Sequence, residues 1–215
     1  MGYEDTLAAF RRGDNAEAER LALADLEAAA AAGDRAGQVD ALCMLARVAL
    51  RDGRLDDVEA KSLAAHQSAG GEVRLQRMPL HLRAVAARMA NRHDEARDLY
   101  RQSIRLNAEL GEMRMAAAEH RNLAYVELRA GDLDEARRLF AESRRLFAGL
   151  DAPSMAPYLT FDEATVAALD GDAVTARTKL SAAESLFAAQ GVAPDPDDAV
   201  EITDLRRRLD AQPNG

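Results

Sequence analysis

Apolar residues recur along this 215-residue chain at helical spacing, and short turn segments interrupt them at regular intervals. No stretch alternates apolar and polar residues as a half-buried β-strand would. Five turn segments align, and they begin at Gly13, Gly53, Asn91, Gly131 and Gly171. Asn, like Gly, tolerates the left-handed backbone that ends a helix. An Asp one or three residues later can cap the helix that follows.

The small residue that follows each turn gives the period of the repeat. These residues are Ala18, Val58, Ala96, Ala136 and Ala176, with spacings of 40, 38, 40 and 40 residues. A second series of breaks falls between them, at Gly33-Asp34, Gly70-Gly71, Gly111-Glu112, Leu150-Asp151 and Gly191. Each period therefore predicts two helices of about 16 to 19 residues. Hairpins with one apolar face each must stack on one another to bury that face.

The fourth repeat shows the local pattern most clearly. It has Leu123-Ala124, then the turn Gly131-Asp132, and then Ala136 followed four residues later by Phe140. This arrangement resembles the tetratricopeptide repeat, in which a small residue lies where two helices cross and A-x3-F follows a Gly turn. The third and fifth repeats keep it with Tyr100 and Leu180 in the large position, whereas the first and second carry Ala22 and Ser62 there.

The resemblance covers residues 2 to about 190 and implies the fold. A period near 40 is longer than the usual 34. It is similar to the helical-repeat sensor domains of bacterial transcription regulators and to kinesin light chains. We therefore predict an all-α protein: residues 1–191 form a right-handed superhelical solenoid of about five tetratricopeptide-like hairpins. Residues 192–215 are predicted to add a Pro-containing linker, a helix that caps the end of the solenoid, and a short tail. A tail that docks on another protein is the alternative for this segment.

Composition and charge limit the possible partners. The net charge is −9, which argues against nucleic acid or an anionic membrane as the main partner. Cys43 is the single cysteine, so no disulfide can form within the chain, and a reducing compartment is expected. Neither a signal peptide nor a membrane-spanning run is visible, and there is no phosphate-binding glycine loop. The sequence thus predicts a cytoplasmic location.

The resemblance also implies a binding surface, because the first helix of each tetratricopeptide hairpin lines a concave face. Counting back from each turn gives twenty inward positions, which hold six arginines and no acid. Arginine binds carboxylates through paired donors, so we predict that the groove binds an acidic partner segment. The helix dipole alone is the alternative explanation for arginines in the last turn of a helix. The predicted partner-binding residues are Arg47, Arg51, His81, Arg88, Arg121, Asn122, Tyr125, Arg129, Tyr158 and Phe161.

Three hypotheses for function follow. The first is a protein-interaction scaffold or adaptor. The second is a small-anion or small-molecule sensor or enzyme with a pocket around His81, Arg121 and Tyr125. The third is an assembly factor that self-associates, for example as a homodimer. Cys43 and His81 occupy equivalent positions on neighbouring helices, but a buried thiol beside an isolated imidazole is the simpler interpretation.

The sequence offers no motif for catalysis or metal binding. No two histidines have a spacing of three or four residues, which would bring both to one metal ion on a helix. Carboxylates such as Glu119 and Asp162 are interpreted as part of a solvated helix face. We therefore predict no catalytic residue, no metal and no cofactor.

Overall fold

The computed structural model describes residues 2–211 and contains no β-strand in that range. Eleven α-helices follow one another there: α1 Tyr3–Arg11, α2 Asn15–Ala32, α3 Arg35–Arg51, α4 Leu55–Ala69, α5 Arg77–Met89, α6 His93–Glu109, α7 Met113–Ala130, α8 Leu133–Ala148, α9 Ala156–Leu169, α10 Ala173–Gln190 and α11 Pro196–Asp210. Short 3₁₀ turns at Val73–Gln76 and Pro153–Met155 precede α5 and α9. The first ten helices pair in sequence as five hairpins, which confirms the predicted all-α repeat fold.

The turns inside the hairpins have the backbone that the sequence predicts. Asn91 has a φ of 57° and is the only residue other than glycine with positive φ among residues 2–211. It therefore takes the place that glycine holds in the other four hairpins. Asp14, Asp132 and Asp172 each accept a hydrogen bond from the backbone N–H three residues on, and so cap the helix that follows.

The small residues that define the period lie where the two helices of a hairpin cross. Ala18, Val58, Ala96, Ala136 and Ala176 are all fully buried. The larger residue one turn later, such as Tyr100 or Phe140, is also buried, so it fills the space between hairpins. In the second hairpin, Ser62 occupies this position and donates a hydrogen bond of 3.1 Å to the carbonyl oxygen of Glu59. Its hydroxyl is thus satisfied inside the core.

Three of the first helices are shorter than predicted. α1, α5 and α9 have 9, 13 and 14 residues, whereas about 16 to 19 were expected from the spacing of the breaks. Before α5 and α9, the 3₁₀ turns take up residues that the periodicity assigned to the helix. Among residues 2–211, no helix is both long enough and apolar enough to cross a membrane.

The position of α11 differs from that of a simple end cap. Its C-terminal half contacts α10. Arg206 of α11 pairs with Glu184 of α10, and the Leu209 carbonyl of α11 accepts a hydrogen bond from Arg177 of α10. Its N-terminal half instead lies against α3 and α9, which belong to the second and fifth hairpins. The predicted short tail after α11 falls mostly on residues 212–215, which lie outside the described residues.

Candidate partner-binding groove

The groove is formed by the first helices of the hairpins. α1 contacts α3, α3 contacts α5, and α5 contacts α7, so these helices form one continuous row. Because α11 touches both α3 and α9, the row bends around α11, and the face towards α11 is concave. The chain therefore fills part of its own groove with its last helix.

Three arginines of the first helices hold α11 in the groove. Arg88 on α5 pairs with Asp197 and lies 3.2 Å from Glu201, measured from Nη1 to Oε1. Arg129 on α7 donates from Nε to the same carboxylate of Glu201 at 2.9 Å, and its Nη2 lies 3.7 Å from Asp204. Arg88 is completely buried beneath the helix. Both arginines had been predicted to bind an acidic segment, and here that segment is the chain's own.

The third arginine, Arg121 on α7, bridges two carboxylates. Its Nη1 donates to Asp198 of α11 at 2.6 Å, and its Nε donates to Asp162 of α9 at 2.8 Å. Burial lowers the pKa of Arg121, but the carboxylates of Asp162 and Asp198 more than reverse this, so the net direction is a raised pKa. The guanidinium therefore stays charged although it is buried.

The spacing of residues on α11 explains why it fits. Its acids Asp197, Asp198, Glu201 and Asp204 recur at intervals that place them along one side of a helix. Ile202, Leu205 and Leu209 are buried beside them and supply an apolar strip. Two of the acids lie in the first turn, where the helix dipole favours negative charge. The helix thus offers the groove charge and apolar surface together.

This part of the groove holds more buried acids than arginines. Asp162, Asp197, Asp198 and Glu201 are buried, and they face Arg88, Arg121 and Arg129. Burial raises the pKa of Asp198 to about 7 against the lowering by Arg121, and the neighbouring Asp197 adds to the rise. The carboxyl of Asp198 therefore titrates close to neutral pH.

The predicted residues Arg47 and Arg51 on α3 have a different environment. Arg51 donates from Nη1 to the carbonyl oxygen of Phe10 at 2.7 Å and to Oδ1 of Asn15 at 2.9 Å. Its guanidinium carbon lies 3.6 Å above the centre of the Phe10 ring. Arg47 lies over the same ring at 4.5 Å and is 4.0 Å from Asp195. Among residues 2–211, Arg51 forms no ion pair, and the pair of Arg47 with Asp195 is long.

His81 and Asn122 belong to a polar network around Glu119. Glu119 is fully buried on α7 and accepts hydrogen bonds from Ser103, from Asn122 and from His81, whose Nδ1 lies 3.0 Å from Oε1. Burial lowers the pKa of His81, but the carboxylate of Glu119 more than reverses this and raises the pKa to about 9. Both predicted residues are therefore held by the protein itself.

The predicted aromatic contacts are mostly internal. Tyr125 and Phe161 are each 1% exposed and stack with their ring centres 6.0 Å apart, so they pack the core instead of offering a surface. The Tyr125 hydroxyl donates to Asp162 at 2.9 Å. Tyr158 is partly exposed, donates to Asp195 at 3.4 Å, and meets the edge of Phe187.

Two carboxylates that the sequence analysis assigned to a solvated face are in fact buried. Glu119 is 0% exposed and Asp162 is 5% exposed, and each is paired with a group that had been predicted to bind a partner. Their position in the sequence could have indicated this burial. Each lies within two residues of an inward position of a first helix, close enough to turn towards the groove. Sequence reasoning that counted only the inward positions missed them.

One section of the groove is not covered by α11. An open cleft of about 580 Å³ lies between the first two hairpins and the start of α11. Its charged lining consists of Arg11, Arg12 and Arg51, and among residues 2–211 no acid lines it. Arg11 and Arg12 are exposed and form no ion pair with any described residue. Its apolar lining includes Leu50, Leu55, Met89, Pro194, Pro196 and Val200.

A smaller cavity of about 270 Å³ lies at the first turn of α11. Its lining includes His81 and Arg121 of the predicted small-molecule site but not Tyr125. Its ionisable lining is mixed: Arg47, His81, Arg121, Asp195, Asp197 and Asp198. Such a balance gives no preference for an anion.

The geometry gives little support to a reactive thiol or to a metal site. Burial raises the pKa of Cys43 to about 12, so the thiol stays protonated at neutral pH. In the part of the chain that the structure describes, no group of three or more His, Cys, Asp or Glu residues is placed to hold a metal ion.

Comparison with known proteins adds information on the repeat. A model of the tetratricopeptide repeat family matches residues 39–60, 78–102 and 120–142, which fall in the second, third and fourth hairpins. The crystal structure of BtubC (BKLC) from P. vanneervenii is similar in fold, with a TM-score of 0.57 and 17% sequence identity. The similarity covers 100% of this chain and 95% of that one. A search of curated proteins found no match.

Proposed function

Because this chain is a tetratricopeptide-repeat protein, we propose that it is a cytoplasmic protein-interaction module that holds an acidic segment of a partner protein in its concave groove. Repeats of this kind serve as protein-interaction scaffolds. A curved row of helices presents one extended face, which suits a segment of chain better than a small molecule.

The observation that carries this proposal is the presence of α11 in the groove. An acidic helix already lies there on Arg88, Arg121 and Arg129, with its carboxylates bonded to their guanidinium groups. The charge and spacing of these arginines support the proposal that the groove accepts an acidic segment. Buried arginine–carboxylate contacts of this type are strong and directional.

The open cleft gives a partner a place to make first contact. Arg11 and Arg12 are exposed there and form no ion pair with a described residue, and they lie beside the apolar side chains of Leu50 and Met89. A cationic surface next to apolar residues attracts an acidic segment and then offers it an anchor. The smaller cavity, with its balanced charges, gives the small-anion hypothesis less support.

A capture experiment with matched variants tests the proposal. The full chain, Arg11→Glu/Arg12→Glu and Arg101→Glu/Arg105→Glu would each be used to capture proteins from lysate, with identification by mass spectrometry. Arg101 and Arg105 are exposed on α6 and form no ion pair with a described residue, so they give the same change of charge outside the groove.

We expect the full chain and the α6 variant to capture the same acidic protein, and the Arg11→Glu/Arg12→Glu variant to lose it. Capture should also weaken as salt rises, because exposed charges are screened. Equal capture by all three chains, independent of salt, would contradict the proposal. Arg121 is unsuitable for charge reversal here, since its two buried carboxylates would lose their partner.

A further inference from the structure

The way in which α11 is held indicates what kind of partner the groove accepts. We infer that α11 occupies the groove as an internal competitor, and that the partner binds as an acidic amphipathic helix with the same residue pattern and replaces α11. This inference rests on the proposed function and specifies the partner and its control.

The first argument is the chemistry of the buried face of α11. It buries three acids and three aliphatic side chains: Asp197, Asp198, Glu201, Ile202, Leu205 and Leu209. A helix that only covers an end of a solenoid needs an apolar inner face and a polar outer face. Here each buried acid meets an arginine that projects from a first helix. Recognition between helix and groove therefore depends on matched charges as well as burial.

The second argument is what the groove would be without α11. Arg88 and Arg129 would then lose their acidic partners on α11, and Arg121 would keep only Asp162 of α9. An emptied groove would thus expose cations together with the apolar side chains that Ile202, Leu205 and Leu209 cover. A partner with acids at the same spacing would restore the bonds that α11 makes. The exchange of α11 for the partner helix would therefore change the free energy little.

The third argument is the connection between α10 and α11. Residues 191–195 form a short linker, and four of its five residues are exposed. Its polar side-chain contacts include the pair of Asp195 with Arg47 at 4.0 Å and the hydrogen bond from Tyr158 to Asp195 at 3.4 Å. Gly191 ends α10 with a φ of 64°, so α10 terminates independently of where α11 lies. The linker therefore does not fix the position of α11, and release of the helix breaks its contacts with Glu184 and Arg177 on α10.

The fourth argument is that the open cleft adjoins the beginning of α11. The cleft is lined by Pro194, Pro196, Ala199 and Val200 together with Arg11 and Arg12 at the end of α1. An acidic segment bound there touches α11 at its first turn, before it reaches the arginines beneath. The pattern required of the partner helix is that of residues 197–209: D-D-x-x-[DE]-I-x-D-L-x-x-x-L.

A labelled peptide with the sequence of residues 195–210 provides the probe. Its binding to three full chains would be followed by fluorescence anisotropy. These are the wild type, a release variant Asp197→Asn/Asp198→Asn/Glu201→Gln, and a control variant Asp94→Asn/Asp134→Asn/Glu109→Gln. The control variant makes the same three acid-to-amide changes at exposed acids outside the groove.

We expect the release variant to bind the peptide at least about tenfold more tightly than the wild type, because its own helix competes less. The control variant should match the wild type. A peptide in which the same three acids are replaced by amides should bind none of the chains. Since the release variant needs to fold, its helical circular dichroism would be compared with that of the wild type.

A second measurement uses the wild type alone. Hydrogen exchange of the α11 amides should accelerate at least about tenfold when the peptide is in large excess, because displaced helix loses its protection. Unchanged exchange, together with a folded release variant that does not bind the peptide, would overturn the inference. Equal peptide affinity for all three chains would also overturn it, since the peptide would then bind beside α11.

The failure of this inference can be separated from failure of the proposed function. If the peptide tests fail but the Arg11→Glu/Arg12→Glu variant still loses a captured acidic protein, the groove binds partners without releasing α11, and only the inference is wrong. If capture is also independent of Arg11 and Arg12, the proposed function itself is wrong.

Discussion

The two ends of the groove place the same residue type in opposite environments. Arg51 and Arg129 each lie in the last turn of a first helix. Arg129 binds Glu201 and Asp204 of α11, whereas Arg51 binds the neutral oxygens of Phe10 and Asn15. The repeat therefore sets the direction in which an arginine points. Whether the arginine forms an ion pair depends on whether α11 reaches it.

The helix dipole explains only part of this difference. Arg11, Arg51, Arg88 and Arg129 all lie in last turns, where the dipole favours a cation. Yet Arg88 is fully buried and paired with two acids, while Arg11 is exposed without an ion pair among the described residues. A position in the last turn therefore does not decide whether an arginine is buried and paired.

The largest expected effect comes from removing a covered arginine. Arg121→Met should lower the free energy of unfolding by about 3–5 kcal/mol, because Asp162 and Asp198 would stay buried without a cation. Arg51→Met, at the uncovered end, should cost only about 1–2 kcal/mol for its lost hydrogen bonds. Urea unfolding followed by far-ultraviolet circular dichroism would measure both.

The contrast between the two substitutions decides the interpretation. If Arg51→Met and Arg121→Met cost the same, the distinction between covered and uncovered arginines does not hold. The triple variant Arg121→Met/Asp162→Asn/Asp198→Asn provides the control and should recover part of the loss, because it removes the unpaired charges along with the arginine.

A smaller effect should appear as a dependence on pH at the covered end. The pKa of His81 is raised to about 9 by Glu119, against an unfolded value of about 6.5. A group whose pKa is raised by folding stabilises the folded state fully when the pH is below its pKa in the unfolded chain. This stabilisation is lost as the pH rises through its pKa in the folded protein. The free energy of unfolding should therefore fall between about pH 6.5 and 9, by at most about 1.4 kcal/mol per pH unit.

The titration of Asp198 also lowers the free energy of unfolding as the pH rises, but over a lower pH range than that of His81. Its pKa is raised to about 7, so the folded protein takes up a proton there that the unfolded chain does not, and stability falls as the pH rises towards 7. His81→Gln separates the two groups, because it should flatten the curve above pH 7 and leave the slope below it. An unchanged slope above pH 7 in this variant would show that another group is responsible.

The smallest effect is expected for the exposed arginines of the open cleft. Arg11→Ala/Arg12→Ala should change the free energy of unfolding by no more than about 0.5 kcal/mol, because neither side chain is buried or forms an ion pair with a described residue. The same urea titration would measure it. A loss above about 1 kcal/mol would mean that these residues support the fold, and the contrast with Arg121 would weaken.

The fold was largely predictable because its signals are local. The turn at Asn91, the caps such as Asp132, and the pair of Ala136 with Phe140 each depend on residues only a few positions apart. The direction of Arg88 towards the groove followed from the same counting. Sequence reasoning could reach these features because helix periodicity links spacing to direction.

The occupant of the groove was not predictable in this way. Asp197 lies 109 residues after Arg88, and no turn, cap or periodicity connects them. Glu119 and Asp162 were misjudged because a carboxylate is usually exposed on a repeat helix, and only its partner shows that it is buried. The prediction of an end cap rests on the few apolar residues of α11, and it leaves the acids of that helix unmatched to the arginines.

The contacts of α11 also change the order in which the chain gains its structure. A stack of hairpins has contacts only between neighbours, so it can fold from any point and fray at its ends. Bonds from Glu201 to Arg129 and Arg88, which span 72 and 113 residues, join the last helix to the middle hairpins. Such long loops form slowly, because their closure entropy is lost before the contacts form. Docking of α11 is therefore expected to be a late, separate step that converts a linear array into one cooperative unit.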